Sequence, residues 1–377
     1  MSGPRTSDTP RAVGDVQDRP ASTAVPTVGA ALAAVALLAF LTPLYRGVDE
    51  PAVLVGGAAG LVAVGAFLAR RRDLLERRVA GSLAAGSSLV VVVLSGYAIT
   101  QGVLGSILLP GVEWSVSSLF LAFFLAAGSV GVGVAEYAGV STAGLLHRLI
   151  GTLEMVAVAA LGLVGISIAM VALSTPVVLV VGELSTFQAT VIEYLSFGIG
   201  LGGVTVGYLS LREYDRSFID LEIPTLWTVG WIVLGLILIL GANVGISWLM
   251  TVADIEGSEH TTTQQVAENP DLLLVIVPAM ILLVGPFEEL LYRNVIQKAL
   301  YERFSRYGAV VVASVVFTLV HVSAYATAGA DQILASLSLL FVLSVILGVV
   351  YERTENLLVP ALVHGCYNAT VFAVLFV

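Results

Sequence analysis

The run DLLLVIVPAMILLVGPFEELLYRNVIQ, residues 271–297, decides the fold. It opens with an apolar stretch long enough to cross a bilayer, which takes roughly 20 residues at about 1.5 Å of helix each. Near its end it carries two adjacent acids and an arginine. The rest of the chain has the same character: of 377 residues, 58% are hydrophobic and 12% charged, with mean hydropathy +0.97. Soluble domains carry roughly 25% charged residues, so a water-soluble globular protein is excluded. The formal charge of −10 has the wrong sign for a nucleic-acid binder, whose affinity comes from neutralising phosphates. A single cysteine, Cys366, excludes an intramolecular disulfide and any multi-cysteine metal cluster; small buried filler is its expected role.

Apolar runs between polar punctuation predict eleven transmembrane helices: 24–45, 51–69, 79–100, 115–138, 149–174, 187–211, 226–250, 271–297, 309–327, 333–351 and 357–377. The fold class is therefore all-α and polytopic. Residues 1–23 are rich in Pro, Ser, Thr and charge and poor in large apolar side chains, which predicts a disordered cytoplasmic tail. Glycines four apart, Gly56/Gly60 and Gly198/Gly202, predict close helix packing. Basic residues orient the bundle, because cytoplasmic loops are enriched in Lys and Arg. With the N-terminus in the cytoplasm, fifteen of the seventeen fall in inside segments; only Arg46 lies in an outside loop and Arg293 within a span. The outside loop 251–270 has four acids and no basic residue. The expected location is the cell (plasma) membrane, multi-pass.

Ionisable groups inside hydrocarbon are costly and mark function or pairing. Glu136, Glu154 and Glu193 lie near span ends, where side chains reach the interface. Glu288, Glu289 and Arg293 lie deeper. Glu289 and Arg293 are four apart and can pair, whereas Glu288 is turned about 100° away and keeps a carboxylate for acid–base work. The next span holds Phe317 and His321, the last His364 and Asn368, again at four-residue spacing. On helix rise, Glu288, His321 and His364 sit roughly 14, 18 and 10 Å from the cytoplasmic edge, which predicts one shared pocket facing the cytoplasmic half. His147 and His260 fall in loops and are expected to be solvated.

EELLYR (288–293), FTLVH (317–321) and HGCYN (364–368) resemble, in order, the E-E-x-x-x-R, F-x-x-x-H and H-x-x-x-N/D motifs of the CPBP family, the CAAX prenyl endopeptidase and bacteriocin-processing group of intramembrane proteases. The likeness covers roughly 187–377. It implies a catalytic membrane core over 186–377, preceded by a five-helix membrane region, 24–185, of unassigned role. It further implies that Glu288 activates a water with help from His321, and that His364 and Asn368 polarise the scissile carbonyl. Glu289 and Arg293 would hold Glu288 in place, with Phe317 packed beneath its histidine. Two routes stay open at this point: a metal-free glutamate-activated water, or one zinc ion on Glu288, His321 and His364. The partners implied are the bilayer and a peptide or protein substrate, prenylated or not. The alternative is a non-proteolytic membrane scaffold or immunity-type protein of the same fold.

Overall fold

The structure is a computed structural model that describes residues 24–45, 47, 51–108 and 115–375. The 1–23 tail and Arg46 lie outside these residues. Twelve helices follow in chain order: α1 (Ala24–Tyr45), α2 (Pro51–Arg71), α3 (Arg77–Thr100), α4 (Ser118–Ala138), α5 (Thr142–Val181), α6 (Thr186–Leu211), α7 (Leu226–Val252), α8 (Thr261–Glu268), α9 (Pro270–Leu300), α10 (Arg306–Val320), α11 (Ala330–Thr354) and α12 (Leu358–Leu375). A two-residue antiparallel pair, β1 (Ile107–Leu108) with β2 (Ser115–Val116), precedes α4. Among the described residues nine helices are long and apolar enough to cross a membrane, and α10 and α12 are shorter apolar helices. The protein is an all-α, multi-pass membrane protein.

Helices α1 to α4 pack on one another around Phe40, Val53, Ile99 and Leu119, and Ser88 meets Ser129 at 2.8 Å across α3 and α4. The glycines of α2 receive side chains from α1: a Cβ at Gly56 would meet the Phe40 ring, and one at Gly60 would meet Leu37. Helix α5 belongs elsewhere. Its Met155, Val158 and Ala159 share a core with Leu201 of α6, Leu291 and Val295 of α9 and Phe317 of α10. Helix α5 therefore packs with the helices that follow it.

The last spans also differ from expectation. Helix α10 has 15 residues, about 22 Å of rise, and stops at Val320 instead of running to 327. The cause is local: the His321 ring nitrogen Nδ1 lies 2.7 Å from the Phe317 carbonyl, satisfying an acceptor that a helix end otherwise leaves open. The chain then turns through 323–325 into α11.

The two ends of the bundle differ in charge. At one end Arg70 pairs with Glu136 at 2.8 Å, Arg212 and Arg303 both reach Glu154, Arg148 lies over the Phe304 ring and Arg306 pairs with Glu352 and Glu355. Glu136 and Glu154, expected to reach the interface, are thus paired ions. That end is closed by a clasp. Asp220 accepts from Lys298 at 2.7 Å and from the Tyr351 hydroxyl at 2.6 Å, and its backbone N–H donates to Asn294. At the opposite end the segment 253–260 is tied to α11: Gln332 donates to Glu256, and Ser336 donates to the Ser258 carbonyl.

Helix α9 is irregular where it matters. π-helical turns at Met280–Val284 and Leu290–Gln297 bracket Gly285–Glu289. Pro286 has no N–H to donate, which breaks the α ladder, and π turns are frequent at functional sites. Here α9 crosses α12 backbone to backbone. A Cβ at Gly285 would lie 2.5 Å from the Ala361 carbonyl, and one at Gly365 would lie 2.7 Å from the Met280 carbonyl. Gly365→Val must push the two backbones apart. It is expected to cost about 1–3 kcal/mol of stability, the usual penalty of overpacking, and to separate His364 from Glu289. Thermal unfolding in detergent together with an activity assay checks this; an unchanged melting temperature would show that the crossing has slack.

Candidate active site

The crossing of α9 and α12, with the end of α10 beside it, brings the three motif pairs together. Glu289 and Arg293 are fully buried, and Arg293 Nε donates to Glu289 Oε2 at 2.8 Å. The other Glu289 oxygen lies 2.9 Å from His364 Nδ1. Arg293 also donates to Ser344 Oγ of α11 at 3.0 Å and stands over the Phe317 ring. Glu288 points the other way. Its Oε1 lies 3.5 Å from His321 Nε2 and its Oε2 lies 3.6 Å from His364 Nε2.

The tautomers follow from these partners. The Phe317 carbonyl and the Glu289 carboxylate can only accept, so His321 and His364 each carry a proton on Nδ1 and turn Nε2 toward Glu288. Phe317 sits beneath both, its ring centroid 4.3 Å from His321 and 6.0 Å from His364, with Tyr292 packed edge-on against it. One carboxylate thus faces two imidazoles across gaps too long for direct hydrogen bonds in good geometry. Both unprotonated Nε2 atoms and the Glu288 oxygens face one gap, the donor set that a zinc ion on Glu288, His321 and His364 would use; as they stand, no group of three or more His, Cys, Asp or Glu among the described residues is placed to hold a metal ion.

A cavity of about 420 Å³ adjoins the cluster, lined by Glu288, His321, His364 and Asn368 among others. It also contains residues that sequence reading missed. Glu193, expected to reach the interface, lines it. So does His260, expected to be solvated in the 251–270 loop. Its ring packs edge-on to Tyr325 and Phe372, and its Nδ1 accepts from the Thr262 N–H, starting α8. The signal was faint: a chain with four histidines had one in a loop adjoining the Glu288 span. His147 is exposed near the start of α5, and Cys366 is half-buried.

Thr261 and Ser323, which also line the cavity, belong to the segments around 251–270 and 321–329. Glu288 and His364 lie nearer the clasped ends of α9 and α12, whereas His321 stands at the far end of α10.

Burial pushes the His260 pKa down from 6.5 to about 4, with His321 adding to the effect and Glu288 opposing it. An unfolded imidazole takes its proton near 6.5 and the folded one only near 4. The neutral, folded form is therefore undisturbed above that window and loses stability as pH falls through it. Hydrogen exchange along α8, corrected for intrinsic rates, is expected to speed up on acidification between those values and to lose that dependence in His260→Gln.

Carboxylates, imidazoles and an amide thus gather around one cavity within a helical membrane bundle. A family model described as Rce1-like, Type II CAAX prenyl endopeptidase Rce1-like, matches residues 270–370. That stretch is similar to the CAAX prenyl endopeptidases and contains all three motifs, EELLYR, FTLVH and HGCYN. No curated protein and no solved structure matches the chain.

Proposed function

We propose that the protein is an intramembrane endopeptidase in which Glu288 activates a water for attack on a peptide bond. The observation that carries this reading is the placement of Glu288 between His321 and His364 beside the cavity. The 3.5 and 3.6 Å gaps leave the carboxylate without a direct partner and poised to accept a proton from a water. Water is a poor nucleophile, so amide hydrolysis needs that base, together with donors aimed at the developing oxyanion.

His321, its Nδ1 tied to Phe317, presents Nε2 to the same water. His364, its Nδ1 held by Glu289, and Asn368 stand on the substrate side of the cluster, where the Asn368 amide donates to the developing oxyanion. Glu289 and Arg293 cancel one another and anchor His364, so the uncompensated charge of the cluster is that of Glu288. The catalytic body is the set of helices from α5 onward, and α1 to α4 form an attached bundle. On this reading the protein works in the cell membrane on a peptide or protein substrate, prenylated or not.

Comparing protein N-termini in membranes from cells making the wild type or Glu288→Gln tests the reading. New N-termini confined to the wild type are expected; identical sets would favour the non-proteolytic scaffold, in which the motif variants still hold their partner. A zinc chelator is expected to leave the rate of the purified enzyme unchanged.

A further inference from the structure

Two carboxylates line the cavity, Glu193 of α6 and Glu288 of α9. Glu288 is flanked by the two imidazoles of the site. Glu193 is not: among the described residues no hydrogen bond or ion pair reaches its carboxylate. No Lys or Arg is among the lining residues, and His260, kept neutral by burial, adds no charge to balance them. An ionisable group in a membrane-spanning helix is costly and marks either a pairing or a substrate path. Glu289 has its partner in Arg293, whereas Glu193 is left for a cation that the lining does not supply.

Helix packing fixes its place along the cavity. A Cβ at Gly198 or Gly202 would touch the Phe287 ring, which puts that turn of α6 level with Glu288. Helices α6 and α9 run the same way, since Tyr194 shares a core with Ile276 and Met280, and Leu201 shares one with Leu291. Glu193 therefore stands about 10 Å of helix rise from the level of Glu288. An extended peptide covers that distance in about three residues, at about 3.3 Å each. The wall alongside is apolar, with Phe197, Leu201, Met280 and Val284.

We propose that Glu193 receives a Lys or Arg side chain of the substrate, about three residues from the bond that the Glu288-activated water attacks. Resting on the proteolytic reading above, this makes the substrate class a peptide with a basic residue close to an otherwise apolar cleavage site. The stem of either side chain lies along the apolar wall while its head meets the carboxylate, and the Arg fork can engage both oxygens. Glu193 is partly buried in the free protein, so folding has already met part of the desolvation cost of that pair.

Binding and cleavage test this separately in the full-length protein in neutral detergent. The binding arm uses Glu288→Gln, in which Glu193 is the remaining carboxylate of the lining. Its probes are two libraries of short acetylated, amidated peptides with neutral flanks, one centred on Arg and the other on citrulline, its uncharged isostere. The Arg library is expected to be retained about 10-fold more strongly, the scale of one hydrogen bond to a charged group. Adding Glu193→Gln should bring the ratio to about one, and Glu193→Lys should pass the preference to a library centred on Glu. Equal retention of Arg and citrulline overturns the proposal, and so does an Arg preference that survives both Glu193 variants. In the cleavage arm, wild-type protein acting on a pool of cellular peptides should leave cut sites enriched in Lys or Arg about three residues from the bond. Cleavage without that bias overturns the Glu193 site alone. Selective retention with no cleavage supports the site and overturns the proteolytic reading.

Discussion

Replacing Glu288 with Gln is expected to lower the cleavage rate of reconstituted protein by about 10²–10⁴-fold, the usual contribution of a positioned general base, with little change in the melting temperature. Gln keeps the shape and one oxygen acceptor but cannot take a proton. Glu288 makes no short hydrogen bond to either imidazole, its nearest approaches being 3.5 and 3.6 Å, so the substitution leaves no broken pair behind. Removing an uncompensated buried carboxylate can even stabilise the bundle. Single-turnover cleavage separates the steps: the chemical step should fall while substrate capture persists, which also makes Glu288→Gln a trap for bound substrate. A variant that retained wild-type turnover would remove the glutamate mechanism altogether.

The second large effect is on stability. Arg293→Met leaves Glu289 fully buried with His364 as its remaining partner. It is expected to cost about 3–5 kcal/mol, the penalty for stripping one member from a buried ion pair. Total stabilities are about 5–15 kcal/mol, so a large drop in melting temperature or a failure to accumulate is the expected result. Arg293→Lys restores the charge but not the planar fork that reaches Glu289 and Ser344 together, and should fall between. The double change Glu289→Gln with Arg293→Met removes both charges and should recover most of the lost stability, because no unpaired ion remains. Activity should not recover with it, since His364 loses the carboxylate that fixes its orientation. Equal destabilisation in the single and double variants would show that the pair contributes packing and not charge compensation.

Much of the architecture was legible before any coordinates. A residue in hydrocarbon has few roles open to it, so apolar runs reveal helices, and the rare ions within them stand out against that background. Glu288, Glu289, Arg293, His321 and His364 were conspicuous for this reason. The pairing of Glu289 with Arg293 was also within reach, because four residues on one helix fix proximity locally. Glu193 and His260 were not. Each lies near a polar boundary where a solvated side chain is ordinary, and only the folding of α8 back over the cavity buries His260.

By itself, then, the sequence determined that this is a multi-pass helical membrane protein, which residues are anomalous within it, and how its basic charge is distributed along the chain. The tertiary structure decided the rest: that α5 packs with the helices after it, that α10 ends at Val320, that His364 bonds Glu289 while facing Glu288, and that Glu193 and His260 line the cavity. These depend on how closely α9 and α12 cross at Gly285 and Gly365. Contacts between residues some 75 positions apart, such as Glu289 and His364, are set by helix packing, and local spacing carries no information about them.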